Sequence, residues 1–200
     1  MNRDAIGYSQ HQVGSRSEER GRDAQPDSSQ PQLAELRQLD DYVIAADDPD
    51  IRGWEVKTAA GLGDRTVGRV EDLLVDRDTL RVRYILVCLD KEAIATTRDR
   101  RILVPVGVAR LEEHADQVRL DGYTTGHLVG TPEFRPGNLT RHYEATVRRR
   151  FAPPAPKAGP RTRQAFGFYD QSEFDEDALW SGRRRGRASR PYLRRHDRAN

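Results

Sequence analysis

The stretch VGRVEDLLVDRDTLRVRYILVCLD, residues 67–90, decides the fold. In its second half Leu80, Val82, Tyr84, Leu86 and Cys88 fall on one face, with Arg81 and Arg83 on the other, the period of two that marks a strand. From Ile85 onward both faces are apolar, so that end should be covered on both sides. The first half, VGRVEDLLVD, reads as a partner strand in which Gly68 marks a bulge or a close backbone approach. Arg77, Asp78 and Thr79 turn the chain between them.

Outward from this pair, residues 51–121 continue as strands with short connections. IRGWEVK (51–57) reads as a strand, AAGLGDRT as the loop after it, and ILVPVGVARLEE (102–113) as strand again after the polar loop KEAIATTRDRR. QVRLDGY closes the series with Val118 and Leu120 inward. Several short strands at this spacing predict a small sandwich or barrel. TTGHLVGTPEF (124–134) should form a short helical turn. LTRHYEATVRRRF should form an amphipathic helix, because Leu139, Tyr143, Val147 and Phe151 recur every four residues.

The flanks differ in kind. Residues 1 to about 35 are polar with almost no apolar periodicity, a composition that predicts disorder. QLAELRQL then offers a short helix with Leu33, Leu36 and Leu39 on one side. An acidic turn follows at Asp47–Asp50, where Pro49 biases Asp48 away from helix. Beyond the amphipathic helix, APPAPKAGPRTR reads as an extended linker. FGFYDQSEFDEDALW carries Phe166, Phe168, Tyr169, Phe174 and Trp180 in a region too polar to build a core of its own. These are anchors for docking, on a partner or on the parent domain. Arg183, Arg184 and Arg185 open a basic tail of a kind that binds nucleic acid, anionic lipid headgroups or an acidic protein surface. The divisions expected are an extension over 1–38, a β-barrel domain over 39–135, a helix over 136–151 and a Pro/aromatic/Arg-rich extension over 152–200.

Composition narrows the function. Charged residues make up 33% of the 200 residues and hydrophobic ones 36%, which fits one compact domain with long polar extensions. The net charge of +2 argues against a whole-protein nucleic-acid footprint. The longest apolar run, near Tyr84–Leu89, is far short of the roughly 20 residues of a membrane-spanning helix. With no apolar leader at the N-terminus, a cytoplasmic location is expected. Cys88 is the only cysteine and is expected in the core, which rules out an internal disulfide and a cysteine-based zinc cluster. The histidines show no metal-ligand spacing, so no metal is expected. GLGDRTVG lacks the Lys-Ser/Thr ending of a phosphate loop. Glu71 and Asp72 are strand neighbours, expected on opposite faces and so unable to act as an acid/base pair. No enzyme is expected.

In order along the chain, PDIRGWEV, VGRVEDLLVD, VRYILVCLD, RILVPVGVARL and VRLDGYTTGHLVGTPEF resemble the PRC-barrel domain. The resemblance covers about residues 49–135. It implies a mainly β protein, a small, highly bent PRC-type β-barrel with a short C-terminal helix and long irregular N- and C-terminal extensions. That domain is the cytoplasmic part of the H subunit of purple-type photosynthetic reaction centres, and it also occurs in stand-alone bacterial proteins and in the ribosome-maturation factor. An H-like protein would cap the membrane-embedded, quinone-binding subunits, stabilise the complex and line the route of protons to the secondary quinone. It would bind no cofactor itself, the bacteriochlorophyll and quinone belonging to its partners. The resemblance implies a proton-uptake acid at about the position that Arg65 occupies here, which makes the neighbouring Asp64 the candidate and Glu71 a weaker one. A proton route also needs acids and histidines within reach of each other, which adds His114 and His127. An H subunit also begins with a transmembrane helix, where this chain has a polar segment. The stand-alone reading is an adaptor in stress response or RNA/ribosome-linked assembly.

Overall fold

The computed structural model describes residues 33–45, 48–58, 63–112, 114–152, 167–181 and 192–195. Among them run β1 (Leu33–Glu35), β2 (Tyr42–Ile44), β3 (Glu55–Thr58), β4 (Arg65–Asp76), β5 (Arg81–Leu89), β6 (Arg100–Pro105), β7 (Arg110–Leu111) and β8 (Gln117–Leu120). Helices α1 (Thr125–Val129), α2 (Arg141–Phe151) and α3 (Glu176–Trp180) follow, and β9 (Leu193–Arg195) comes last. None of these helices is long and apolar enough to cross a membrane.

The hairpin β4–β5 is the spine. Asp76 closes its turn by accepting the Thr79 hydroxyl at 2.7 Å and the Asp78 amide at 3.0 Å. Leu80 leaves the turn in the left-handed region, at φ 56°. Leu73, Leu74 and Val75 are each almost wholly buried, as are Tyr84, Ile85, Leu86 and Val87, so both strands are covered on both faces. The expectation for β5 holds, and the same is true of β4.

The main sheet runs β6-β5-β4-β3-β8-β7, with β3 and β8 parallel and the other pairs antiparallel. Laid flat, five strand spacings would separate β6 from β7 by roughly 24 Å. Yet only Val106–Ala109 joins them, a chain that spans at most roughly 17 Å between Pro105 and Arg110. The sheet must therefore curl until its ends approach, which makes it barrel-like. Mainly β architecture is what the hydrophobic periods predicted.

Four elements depart from the sequence reading. The stretch 102–113, read as strand, is broken by the helical turn Val106–Val108 into β6 and β7. The strand expected from Ile51 begins only at Glu55, because Ile51–Trp54 is a turn with Gly53 at φ 85°. Leu33–Glu35, expected in disorder or a short helix, is strand β1, followed by a single helical turn at Leu36–Gln38. The cause is the length of β4: β3 pairs only with its Arg65–Arg69 half, and β1 takes the open edge at Leu74–Asp76. Parts of the C-terminal extension are also folded. β9 pairs with β2, and residues 167–181 lie against β5 and the Val106–Val108 turn. The linker expected at 152–163 lies, past Ala152, outside the described residues.

Helix α2 is as read. Thr140 caps it by accepting the Tyr143 amide at 3.2 Å, and Tyr143, Val147 and Phe151 bury one stripe against β6, with Leu139 half-buried above them. α1 carries Leu128 into the same core.

Candidate functional site

The four proton-uptake candidates fall at separate places. Asp64, ahead of β4, is gripped by the Arg119 guanidinium at 2.6 and 2.9 Å, and that pair holds its carboxyl below the usual range. Arg119 also donates to Asp121 at 3.2 Å, so β8 and the loop before β4 share one charge cluster. Glu71 meets Arg37 at 3.1 Å and Arg101 at 2.8 Å. His127, on α1, packs its ring 4.9 Å from that of Tyr123 and 5.3 Å from that of Phe151. Burial, and after it the Arg150 charge, lower its pKa. His114 is exposed in the loop before β8.

Asp72 corrects an expectation. Glu71 is an extra residue in β4, since Val70 faces Val87 while Asp72 already faces Leu86. This bulge brings both carboxylates onto one side chain: Arg37 donates through Nε to Asp72 at 2.7 Å and through Nη2 to Glu71. Asp72 is fully buried and Arg37 half-exposed, so the guanidinium works as a clamp between the N-terminal segment and the spine. Cys88 is half-buried rather than in the core, because its face opens onto a hollow of about 480 Å³. Burial, and then Glu71 and Asp99, push its thiol up, the opposite of what a nucleophile needs.

The same hollow carries the one group of carboxylates, among the described residues, close enough to share a cation. Ligand oxygens of Asp90, Glu92 and Asp99 lie within 4.8 Å of one another, all exposed. Asp90 accepts the Glu92 amide at 3.0 Å and Asp99 the Lys91 amide at 2.9 Å, so both close the loop. On the far side of Cys88, Glu133 is held down to about 2 by Arg98, whose two nitrogens stand 2.6 and 2.7 Å away.

The aromatic anchors are seated within the chain. Phe174 and Trp180 are almost wholly buried, Phe168 and Tyr169 partly so, and Phe174 meets Tyr84 edge-on at 5.3 Å. Trp180 stacks on Tyr192 at 4.8 Å. Of the two kinds of docking expected, the described residues make the one onto the parent domain. Phe166, Arg183, Arg184 and Arg185 lie outside the described residues. Sequence reasoning missed the acceptor of this contact. Glu144 is buried in α2 and receives the hydroxyls of Tyr84, at 3.1 Å, and of Tyr169. Burial and the Glu144 charge push both phenols far up, so they remain donors. Glu144 stands next to the apolar stripe of α2, and that adjacency is the only signal that could have found it.

A curled sheet whose β6 and β7 are joined by one turn, with β3 and β8 parallel, is the frame against which known families can be compared. Residues 45–125 match the PRC-barrel domain. No curated protein matches the chain as a relative. The match runs from the acidic turn through β8 to the start of α1, so the matched region includes Asp64, Glu71, Tyr84 and His114. Helix α2, with Glu144, and residues 167–195 lie beyond it.

Proposed function

We propose that the chain is a non-catalytic, H-like subunit capping the cytoplasmic face of a photosynthetic reaction centre, where it stabilises the membrane-embedded, quinone-binding subunits. The observation that carries this reading is the PRC-barrel match over residues 45–125. A cap needs rigidity, and the strands buried on both faces, the Arg37 clamp and the helix on β6 supply it. Bacteriochlorophyll and quinone would belong to the partners, and the arginines from Arg183 onward would meet anionic headgroups. Proton delivery is a separable part of the reading. Asp64 is its test, because a proton carrier there must first leave Arg119.

The experiment is to tag the protein in its native cells, solubilise membranes gently and record the absorption of what co-purifies. Bacteriochlorophyll bands that follow the tag are expected. A colourless protein, alone or with RNA that survives moderate salt, overturns the reading. It would leave a stand-alone PRC-barrel adaptor in stress response or RNA/ribosome-linked assembly. One observation favours that second reading: residues 167–181 cover the barrel's flank from within the chain.

A further inference from the structure

Residues 167–181 lie against β5 and the Val106–Val108 turn. They contain five acids, Asp170, Glu173, Asp175, Glu176 and Asp177, and no lysine or arginine. The surface that receives them is basic and aromatic. Arg83 lies over the Tyr169 ring at 4.8 Å and Arg141 over the Phe168 ring at 4.7 Å. Arg148 donates to Glu173 at 2.7 Å. Tyr84 and Glu144 meet Phe174 and the Tyr169 hydroxyl respectively.

Gly107 supplies an independent observation from the barrel side. A Cβ on it would stand 2.3 Å from the Ser172 carbonyl oxygen and 2.8 Å from the Asp175 nitrogen. Its backbone does not need the left-handed region, so what this position demands is the absence of a side chain, to admit another backbone. Gly107 lies inside the PRC-barrel match and its visitor outside it. The barrel therefore carries a seat for a peptide, and the chain's own acidic, aromatic segment fills it.

The connection allows the seat to be filled from elsewhere. Residues 153–166 separate α2 from the segment, and those fourteen residues, four of them proline, can span roughly 45 Å when extended. Trp180 stacks on Tyr192, so residues 192–195 would exchange together with the segment, giving up within their own chain the Tyr192 hydroxyl bond to the Pro49 carbonyl, 2.8 Å, and the β2–β9 pairing. We propose that the barrel's peptide seat also accepts residues 167–181, together with 192–195, of a second copy of this chain, giving a strap-exchanged dimer. Every contact of the exchanged form already exists within one chain, so the exchange requires no new surface. The tether alone biases the closed form, through an effective concentration that is millimolar in order for short linkers.

Two full-length variants test this by complementation. Gly107→Ala closes the seat and leaves the strap intact, while Phe174→Ala spoils the strap and leaves the seat open. Each alone should sediment as a monomer, and an equal mixture should double in mass as the intact strap of one enters the open seat of the other. A mixture that sediments as two monomers, with both variants folded by their amide spectra, overturns the proposal. Should either variant fail to fold, wild-type pools of light and heavy isotope are mixed at rising concentration and weighed by native mass spectrometry. Mixed-mass dimers that increase toward the millimolar range and in which the Gly167–Arg195 region crosslinks to the other isotope's barrel are expected. Monomers at every concentration, or dimers whose straps crosslink only within their own chain, overturn it.

Discussion

The spine hairpin β4–β5 and the strap at 167–181 both bury aromatic and aliphatic side chains, but by different routes. In the hairpin, apolar residues fill consecutive positions and pair across the strands, Leu73 opposite Ile85 and Leu74 opposite Tyr84. In the strap, five acids interrupt the anchors, and the segment is held by arginines, the Tyr169 hydroxyl and a glycine that lets its backbone in. A strand pair is a core that specifies itself. The strap is a ligand that happens to be covalently attached. The two should consequently fail in different ways.

The largest expected effect is in the hairpin. Leu73→Ala removes a fully buried side chain from the middle of β4 and should cost about 3 kcal/mol, lowering the stability of the whole molecule in chemical denaturation. Phe174→Ala deletes a larger side chain, which in a rigid core would cost about 3–5 kcal/mol. Here the loss is capped at the free energy of seating the strap, since the strap can leave. The denaturation midpoint should therefore fall less than for Leu73→Ala. Hydrogen exchange should show protection lost over 167–181 and retained in β4 and β5. Equal loss of protection in both regions would break the comparison and make the strap one more element of the core.

What the sequence disclosed follows the same divide. Val82, Tyr84 and Leu86 declared a strand through their spacing, Ile85 and Val87 declared cover on both faces, and Tyr143, Val147 and Phe151 declared a helix stripe. These signals are local and periodic, so one sequence carries them. β1 was not legible, because its cause lies some forty residues away, in the half of β4 that β3 leaves unpaired. The bulge at Glu71 was equally hidden: nothing in the letters Glu-Asp says that one residue is extra, and the shift alone puts both carboxylates on Arg37. At the candidate site the aromatic anchors were legible as anchors. Their acceptor Glu144 and the opening at Gly107 were not, since a buried acid and a small turn residue declare a role only beside their partners.

An intermediate effect tests whether the N-terminal segment belongs with the spine or resembles the strap. Arg37→Ala leaves the Asp72 carboxylate buried without its guanidinium, with only the amides of Leu73, at 2.8 Å, and of residue 37, at 3.3 Å, still donating to it among the described residues. Losing one partner of a fully buried pair costs about 3–5 kcal/mol, and the half-exposed arginine should bring this toward about 2 kcal/mol. If β1 is part of the spine, the loss should appear in global denaturation. If it detaches separately, exchange should rise at Leu33–Leu39 alone.

The smallest effect separates the barrel from its helical cover by pH. His127 sits on α1, its Nε2 buried without a hydrogen-bond partner among the described residues, and its ring against Tyr123 and Phe151. Burial and Arg150 lower its pKa in the folded protein, whereas the unfolded chain binds the proton with the ordinary value of about 6.5. The unfolded state then holds more protons across the interval just below that value, so stability rises with pH there. The contribution is complete above about pH 6.5 and is lost as the pH falls through the lower, folded value. His127→Phe keeps the ring contacts and removes both the titration and the unpartnered nitrogen. Its stability should match or slightly exceed that of the parent at pH 7.5, and the gap should widen in its favour as the pH falls. Denaturation curves of the two proteins at several values between pH 5 and 7.5 read this directly, the other histidines cancelling in the difference. A constant gap across that interval would mean that the α1 ring pocket admits the proton as readily as water does, and the cover would then be as loosely held as the strap.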